Sequence, residues 1–176
     1  MIRIFDFLFS LIGLIFLFPL MVIVFFISLF DNGSPLFIQS RVGYNLKSFS
    51  LIKFRTMPMG VRSAGTHLIK DIKLSSYGYF LRRTKLDEIP QLLNVLFGDM
   101  SLVGPRPCLF NQRKLINERK KRGVFKVRPG ITGLAAINGI DMKTPTLLAK
   151  TDQKMIKNMS LSNYFYYIFK TIFKII

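Results

Sequence analysis

Residues 82–90 have the sequence Arg82-Arg83-Thr84-Lys85-Leu86-Asp87-Glu88-Ile89-Pro90, which places two adjacent carboxylates among three cations. The apolar residues that follow recur at the spacing of one helical face and predict a helix that ends at Gly98; they are Ile89, Leu92, Leu93 and Leu96. Pro90 fits the first turn of such a helix, where its missing N–H costs no hydrogen bond. Close to the positive end of the helix dipole, both carboxylates are expected to be ionised. The pair then suits either helix capping or chemistry, as a Mg²⁺ ligand or a nucleophile.

A long apolar segment precedes this basic region. Between Ile4 and Phe30 the single charged residue is Asp6, so the formal net charge of +17 in this chain of 176 residues falls on the part after Phe30. The length accommodates one ordinary domain and a short appendage. One basic residue precedes the apolar run, which is too long for a signal peptide and is followed by no small-residue cleavage site. We therefore expect the segment to stay in the membrane.

Two membrane topologies are compatible with the apolar segment. A helix of 27 residues is about 40 Å long, more than the roughly 30 Å hydrocarbon core requires. Pro19, near its middle, removes a backbone hydrogen bond and bends the helix. The helix therefore either spans the bilayer with a kink or turns back at Phe18-Pro19, and the segment by itself favours the spanning form. In both cases the excess of Lys and Arg predicts that the basic domain is cytoplasmic.

The remaining chain alternates turns with short extended and helical segments. A turn at Tyr44-Asn45 is predicted to join two extended segments, residues 36–43 and 49–55. A short helix is predicted to begin within residues 74–81. The basic helix predicted over residues 111–122 presents its cations to solvent or to anionic headgroups. Residues 59–66 and 99–107 are expected to be loops, and the aromatic tail, residues 164–176, is expected to lie in the membrane interface.

The chain has one cysteine and one histidine, which limits the kinds of metal and catalytic site that it can form. The one cysteine, Cys108, excludes an internal disulfide and argues against a cysteine-ligated zinc site. The one histidine, His67, leaves little room for a histidine-based triad or a site with several histidine ligands. We interpret Cys108 as a small apolar core residue and assign no role to His67.

Three further segments have the chemistry of a phosphate-binding site. Gly104-Pro105-Arg106-Pro107 fixes an arginine between two prolines, which gives its guanidinium a rigid starting point. Arg128-Pro129-Gly130 adds an arginine beside a turn in which glycine permits a close approach. Lys53-Phe54-Arg55 adds two cations on an extended segment. Taken singly, each segment is equally consistent with a rigid or solvated surface.

Together, and in this order, the segments resemble the catalytic domain of the bacterial monotopic phosphoglycosyl transferases, the initiating sugar transferases of surface glycan and glycoprotein assembly. The resemblance extends over residues 35–139 and is carried by residues 35–43, 53–57, 81–96, 98–107 and 127–135. The chain looks like the minimal form of this family, without the extra membrane helices of its larger members.

This resemblance implies a fold and a reaction. The implied fold is α/β, mostly helical with short strands, and consists of three parts: a re-entrant membrane helix hairpin broken near Pro19 (residues 1–31), a cytoplasmic interfacial catalytic domain (residues 32–159) and an interfacial aromatic or amphipathic tail (residues 160–176). The implied reaction transfers a phosphosugar from a UDP-sugar to undecaprenyl phosphate, a polyprenol phosphate, and releases UMP at the cytoplasmic face of the bacterial inner membrane. The resemblance thus reverses the preference for a spanning helix.

The family pattern also assigns roles to residues. Asp87 is the implied nucleophile, which forms a covalent aspartyl-phosphosugar intermediate. Glu88 is implied to help organise Mg²⁺ or to handle a proton, so that Asp87 and Glu88 are the expected metal ligands. The implied phosphate-binding residues are Arg82, Arg106 and Arg128. The expected partners are the UDP-sugar, the polyprenol phosphate and anionic membrane lipid, with no nucleic acid, and a homo-oligomer is compatible with the pattern.

The sequence departs from the family pattern at several positions. Ala136 replaces a glutamine and Ile140 replaces an arginine. The acidic residue that is usual shortly after the Pro-Arg-Pro motif is missing, with Asn111 nearby. Residues 71–75, ahead of Gly78, are a milder change. These departures keep an inactive relative that acts as a scaffold among the alternatives. The other alternative is a membrane-tethered binding protein whose charge attracts nucleic acid or anionic lipid, but it does not account for two carboxylates amid the cations.

Overall fold

The N-terminal apolar segment forms one long helix. The computed structural model describes residues 2–58 and 74–175, and in it α1 runs from Ile2 to Asn32 with Pro19 inside. This helix is long and apolar enough to cross a membrane. The helix continues through Pro19. A hairpin broken near Pro19 is therefore not confirmed, and a re-entrant course through a bilayer stays a prediction.

Both ends of α1 contact the rest of the protein. Near its start, the Arg3 guanidinium donates to the carbonyl oxygens of Val95 at 2.5 Å and Leu96 at 2.9 Å. Near its end, the Val24 carbonyl accepts a hydrogen bond from the Tyr77 hydroxyl at 3.0 Å. The face turned away from these contacts is apolar and exposed, as Phe16, Phe18, Phe26 and Phe30 illustrate.

The strands form two separate pairs. Antiparallel β1 (Leu36–Val42) and β2 (Ser48–Phe54) are joined by a 3-10 turn at Tyr44–Leu46, which confirms the predicted extended segments and turn. Parallel β3 (Ser101–Val103) and β4 (Gly130–Thr132) form the second pair. Phe49 and Leu51 point from β2 into a buried cluster with Val95 and Met100.

The remaining helices surround these strands. They are α2 (Ser76–Thr84), α3 (Gln91–Phe97), α4 (Arg113–Lys121), α5 (Leu134–Ile137), α6 (Pro145–Lys157) and α7 (Leu161–Ile175). The Ser75 hydroxyl caps α2 by accepting a hydrogen bond from the Gly78 N–H at 2.9 Å. The predicted helices over 74–81 and 111–122 correspond to α2 and α4. A second buried cluster contains Cys108, Leu115 and Leu148, which confirms Cys108 as a core residue.

The aromatic tail is helical and packs on the domain with one face. Tyr164 and Tyr167 are buried against Val103 and Met155, whereas Phe169 and Phe173 are exposed. The apolar outer face of α7 thus adds to that of α1. The predicted loop over residues 59–66, His67 and the family departure that begins at residue 71 fall outside the described residues or at their margin.

Candidate active site

The acidic pair lies on a tight turn between two helices. α2 ends at Thr84, and Lys85 follows in the left-handed conformation with φ of 61°. The chain then forms a 3-10 turn over Leu86–Glu88, and Pro90, with helical backbone angles, immediately precedes α3. Because this turn is short and is held between two helices, the two carboxylates leave it at fixed positions. The predicted helix after the pair is confirmed, and it ends at Gly98 with φ of 94°.

Asp87 is buried without full hydrogen bonding. It is 5% exposed, and its Oδ1 has no hydrogen-bond partner among the residues that the structure describes. Burial and the negative charge of Glu88 raise the pKa of Asp87 to about 6, against the opposing effect of Lys53, Lys85 and Arg82. The cations therefore do not hold this carboxyl in its ordinary pKa range, contrary to the expectation from sequence. Above pH 6 the group is an ionised, poorly solvated carboxylate, which suits a nucleophile.

Glu88 is held in the charged form by an arginine. Arg106 Nη2 lies 2.6 Å from Glu88 Oε1, in an ion pair whose side chains are 51% and 11% exposed. Burial alone would raise the pKa of Glu88, but the charge and hydrogen bond of Arg106 outweigh burial and lower it. The expectation of ionised carboxylates thus holds for Glu88 across the neutral range. The neighbouring carboxyls differ in proton affinity, as is common for pairs with divided roles.

The loop that carries Arg106 owes its shape to glycine. Gly104 and Gly130 pack backbone against backbone where β3 ends and β4 begins, and a Cβ on Gly130 would overlap the backbone nitrogen of Gly104. The Gly104 N–H donates to the Thr132 carbonyl at 2.8 Å, and the Gly130 N–H donates to the Pro105 carbonyl at 3.0 Å. This close approach, together with the flanking prolines, fixes the backbone of Arg106 opposite the acidic turn.

These residues line one cleft of about 410 Å³. Its cations are Arg41, Lys53, Arg82, Lys85 and Arg106, and its carboxylates include Asp87 and Glu88. The Arg82 Nε donates to the buried Thr56 hydroxyl at 2.9 Å, which fixes the guanidinium. The structure therefore brings Arg82, Arg106, Asp87 and Glu88 together as predicted. Such a cationic cleft is suited to a substrate with several phosphate charges.

Lys53 lies closer to the acidic pair than its sequence segment alone indicated. Burial lowers its pKa, while Asp87 acts in the opposite direction and Arg82 adds to the lowering. Lys53 lies on β2 two positions after Leu51 and four after Phe49, both buried, so it belongs to the inward face of the strand. The signal was present in this alternation, because a lysine at an inward strand position requires a special environment.

Arg128 lies outside the cleft defined by the described residues. Its Nε donates to the Gly98 carbonyl at 2.7 Å, and its guanidinium lies over the Tyr44 ring at 5.7 Å from the ring centre. It thus caps the C-terminus of α3, where a cation is favourable. The structure thus does not bring Arg128 together with the other predicted site residues, and its phosphate contact stays a prediction.

The other end of the cleft is less charged. Ala136, Ile140 and Met142 line it beside Asp141. The two departures from the family pattern, Ala136 and Ile140, therefore both face the cleft. They are placed to affect which substrate group fits there.

The acidic turn is also where a metal ion fits. No group of three or more acidic, histidine or cysteine side chains is placed to hold a metal within the part of the chain that the structure describes. Mg²⁺, however, is commonly bound through one or two carboxylates plus substrate phosphates. Asp87, with its unpartnered Oδ1, and the adjacent Glu88 offer that donor set.

Comparison with known proteins gives a consistent result. The family model described as bacterial sugar transferase matches residues 1–176. An uncharacterized sugar transferase, EpsL of Bacillus subtilis, is 49% identical over 61% of this chain and 53% of its own length. The exopolysaccharide production protein ExoY of Sinorhizobium fredii is 33% identical over 97% of this chain and 83% of its own.

A third relative has a named reaction. The UDP-glucose:undecaprenyl-phosphate glucose-1-phosphate transferase of Klebsiella pneumoniae is 40% identical over 82% of this chain but 33% of its own length. The chain spans about half or less of the length of several curated relatives that it matches. The match therefore concerns the segment that contains the cleft described above.

Proposed function

The chain belongs to the bacterial sugar transferase family, and from this premise we propose that it transfers a phosphosugar from a UDP-sugar to undecaprenyl phosphate, with release of UMP. The observation that carries the proposal is Asp87, a buried carboxylate with an unpartnered Oδ1 among the described residues, in a cleft lined by cations. The relative from Klebsiella carries out a reaction of this class by name. The step belongs at the start of surface glycan or glycoprotein assembly.

In the first half-reaction Asp87 is the nucleophile. Its carboxylate oxygen attacks the phosphorus that bears the sugar, an oxygen–phosphorus bond forms, and the bond from that phosphorus to the bridging oxygen breaks, so UMP leaves with that oxygen. In the second half-reaction a phosphate oxygen of undecaprenyl phosphate attacks the aspartyl-phosphosugar. The product is undecaprenyl-diphosphate sugar, and Asp87 is restored as a carboxylate.

The surrounding cations bind and orient the phosphates. Arg106 and Arg82 present fixed guanidinium groups, one held by Glu88 and the other by Thr56. Lys53 adds a charge close to Asp87. These groups stabilise the negative charge that builds up on the transferred phosphoryl group.

Mg²⁺ is proposed as the cofactor. Asp87 and Glu88 would hold it together with diphosphate oxygens, and when bound it would neutralise the diphosphate. Glu88, ionised and paired with Arg106, would orient this assembly or accept a proton.

We further propose that the protein is monotopic at the cytoplasmic face of the inner membrane. Both ends of α1 contact the domain that holds the cleft, through Arg3 at one end and Val24 at the other. A helix that crossed the bilayer would place its two ends about 30 Å apart on opposite sides, so a domain on one side would contact only one of them. Exposed apolar side chains of α1 and α7 then enter the lipid.

A single-turnover experiment tests the proposed chemistry. The full chain in nanodiscs is incubated with a panel of UDP-sugars and Mg²⁺ in the absence of undecaprenyl phosphate. We expect one UDP-sugar to give stoichiometric UMP and a protein adduct that mass spectrometry assigns to the peptide with Asp87. Undecaprenyl phosphate then discharges the adduct. Absence of UMP release for every UDP-sugar, or an adduct that lipid phosphate does not discharge, would contradict the proposal.

A further inference from the structure

A buried ion pair joins Arg119 to Asp152, which lines the cleft, and takes no part in the chemistry proposed above. The side chains of Arg119 on α4 and Asp152 on α6 are 2% and 1% exposed. The Asp152 Oδ2 lies 2.9 Å from Arg119 Nε and 2.8 Å from Arg119 Nη2. Desolvation of such a pair largely offsets its attraction, so stability alone is a weak reason for it. Moreover, α4 and α6 already share apolar packing, because Leu115 and Leu148 belong to one buried cluster.

A third contact of Arg119 links this pair to the cleft. The Arg119 Nη1 donates to the backbone carbonyl of Arg106 at 2.8 Å. The guanidinium of Arg106 in turn binds Glu88 at 2.6 Å. Arg119 and Arg106 thus connect the buried carboxylate on α6 with the acidic turn, through direct polar contacts and the backbone of Arg106.

The Arg106 loop is held at three successive carbonyls by three different elements. The Gly130 N–H from β4 donates to the Pro105 carbonyl, and the Arg41 Nη1 from β1 donates to the Pro107 carbonyl at 3.3 Å. Arg119 binds the carbonyl between them, that of Arg106 itself. The Arg119 guanidinium is oriented by the buried carboxylate of Asp152, as is typical of residues that hold an active-site residue in position without contacting the substrate.

We propose that Arg119, held by Asp152, is a positioning residue that sets the Arg106 guanidinium opposite Glu88 and the substrate phosphate. This role depends on the proposed function, because it acts on the transfer reaction. Without Arg119, the Arg106 guanidinium shifts relative to Glu88 and to the substrate phosphate. The KM for the UDP-sugar then rises. A residue with a purely structural role would instead lower the amount of folded enzyme, and so the apparent kcat, without a change in KM.

The test replaces the pair as a unit by apolar side chains, Arg119→Met combined with Asp152→Leu, in the full chain in nanodiscs. Replacement of both partners leaves the fold stable, whereas the Arg106 carbonyl loses its donor. We expect a melting temperature close to that of the wild type, a fall in kcat/KM of about tenfold or more, and a rise in the KM for the UDP-sugar. Wild-type values of kcat/KM and KM in this variant would overturn the proposal.

Two further variants separate positioning from packing. Arg119→Lys keeps the charge beside Asp152, but a single ammonium does not reproduce the planar fork that binds carboxylate and carbonyl together, so it should show the same kinetic change. Leu115→Ala loosens the packing of α4 on α6 and should lower the melting temperature without a rise in the KM for the UDP-sugar. An equal rise in KM in Leu115→Ala would attribute the effect to packing and overturn the proposal. Absence of UMP release by the wild type would instead refute the proposed function, and this role with it.

Discussion

Asp6 and Asp87 are both buried aspartates, but their surroundings differ in kind. Asp6, on α1, is 2% exposed, and its Oδ1 accepts hydrogen bonds from the Ser101 hydroxyl, the Leu102 N–H and the Tyr164 hydroxyl at 2.9 to 3.0 Å. Asp87 is 5% exposed, yet its Oδ1 receives no donor from residues 2–58 or 74–175. The first environment satisfies a carboxylate. The second leaves a carboxylate oxygen available to a ligand.

This difference indicates what each aspartate does. Asp6 joins the apolar helix α1 to β3 and to α7. Buried polar groups with complete hydrogen bonding are typical of structural sites. Asp87 lies instead beside Glu88. Burial of Asp87 and the negative charge of Glu88 raise the pKa of Asp87 to about 6. An unsatisfied and electrostatically costly position is typical of a functional residue.

The largest effect is expected for Asp87→Asn. The amide retains the shape of the side chain but is not a nucleophile, so the first half-reaction should fall at least about a thousandfold and no covalent adduct should form. UMP release in a single turnover without lipid measures the loss. The matched control is Asp99→Asn, at an exposed aspartate after α3, which should retain activity within about twofold. Wild-type UMP release by Asp87→Asn would contradict the assignment.

Asp6→Ala should act on stability. The change leaves three donors without their common acceptor, and we expect a loss of about 3 kcal/mol in the free energy of unfolding. Thermal unfolding in detergent, followed by circular dichroism, measures it. Ser10→Ala is a suitable control, because the buried Ser10 hydroxyl donates to the Phe7 carbonyl within the same helix. A loss in Asp6→Ala no larger than in Ser10→Ala would contradict a structural role for Asp6.

A smaller effect concerns the pH dependence of stability at Asp87. Because its pKa is about 6 in the folded protein and about 4 in an unfolded chain, the folded state binds the proton more tightly. The contribution of Asp87 to stability is therefore most favourable below pH 4 and is lost as the pH rises to about 6. Asp87→Asn removes this loss, so we expect it to be roughly 2 to 3 kcal/mol more stable than the wild type at pH 8 and equal to it near pH 4. Thermal unfolding at both pH values tests this, and a variant less stable at pH 8 would refute it.

Local sequence signals predicted much of this structure. The alternation in residues 36–43 and 49–55 gave the β1–β2 pair, and the spacing from Ile89 to Leu96 with Gly98 gave α3 and its end. The acidic pair shares one cleft with Arg82 and Arg106, two of the three arginines assigned to phosphate binding. Each of these residues lies on a turn or helix that has its own local signature in the sequence. Where short-range constraints fix the backbone, sequence is informative.

Sequence signals are less informative where long-range contacts decide. Pro19 predicts a bend in α1, but the course of the helix relative to the domain depends on contacts near both of its ends, at Arg3 and Val24. Arg128 has the composition of a phosphate site, whereas in the folded chain it contacts the carbonyl of Gly98 and the ring of Tyr44. The raised pKa of Asp87 depends on burial by the folded chain, which charge spacing in the sequence does not contain.

The smallest expected effect is that of Lys53→Met, which tests the ionic surroundings that distinguish Asp87 from Asp6. Asp87 differs from Asp6 in having ionic neighbours in place of hydrogen-bond donors, and Lys53 is the cation that does most to lower its pKa against burial and Glu88. Removal of this charge should move the acid limb of kcat/KM to higher pH by roughly half a unit. Lys47→Met, at an exposed lysine at the end of the same hairpin turn, should leave the limb in place. A limb that stays in place in Lys53→Met would mean that the charge of the inward lysine does not act on Asp87, and that burial, Glu88 and the remaining cations set the proton affinity of this carboxylate.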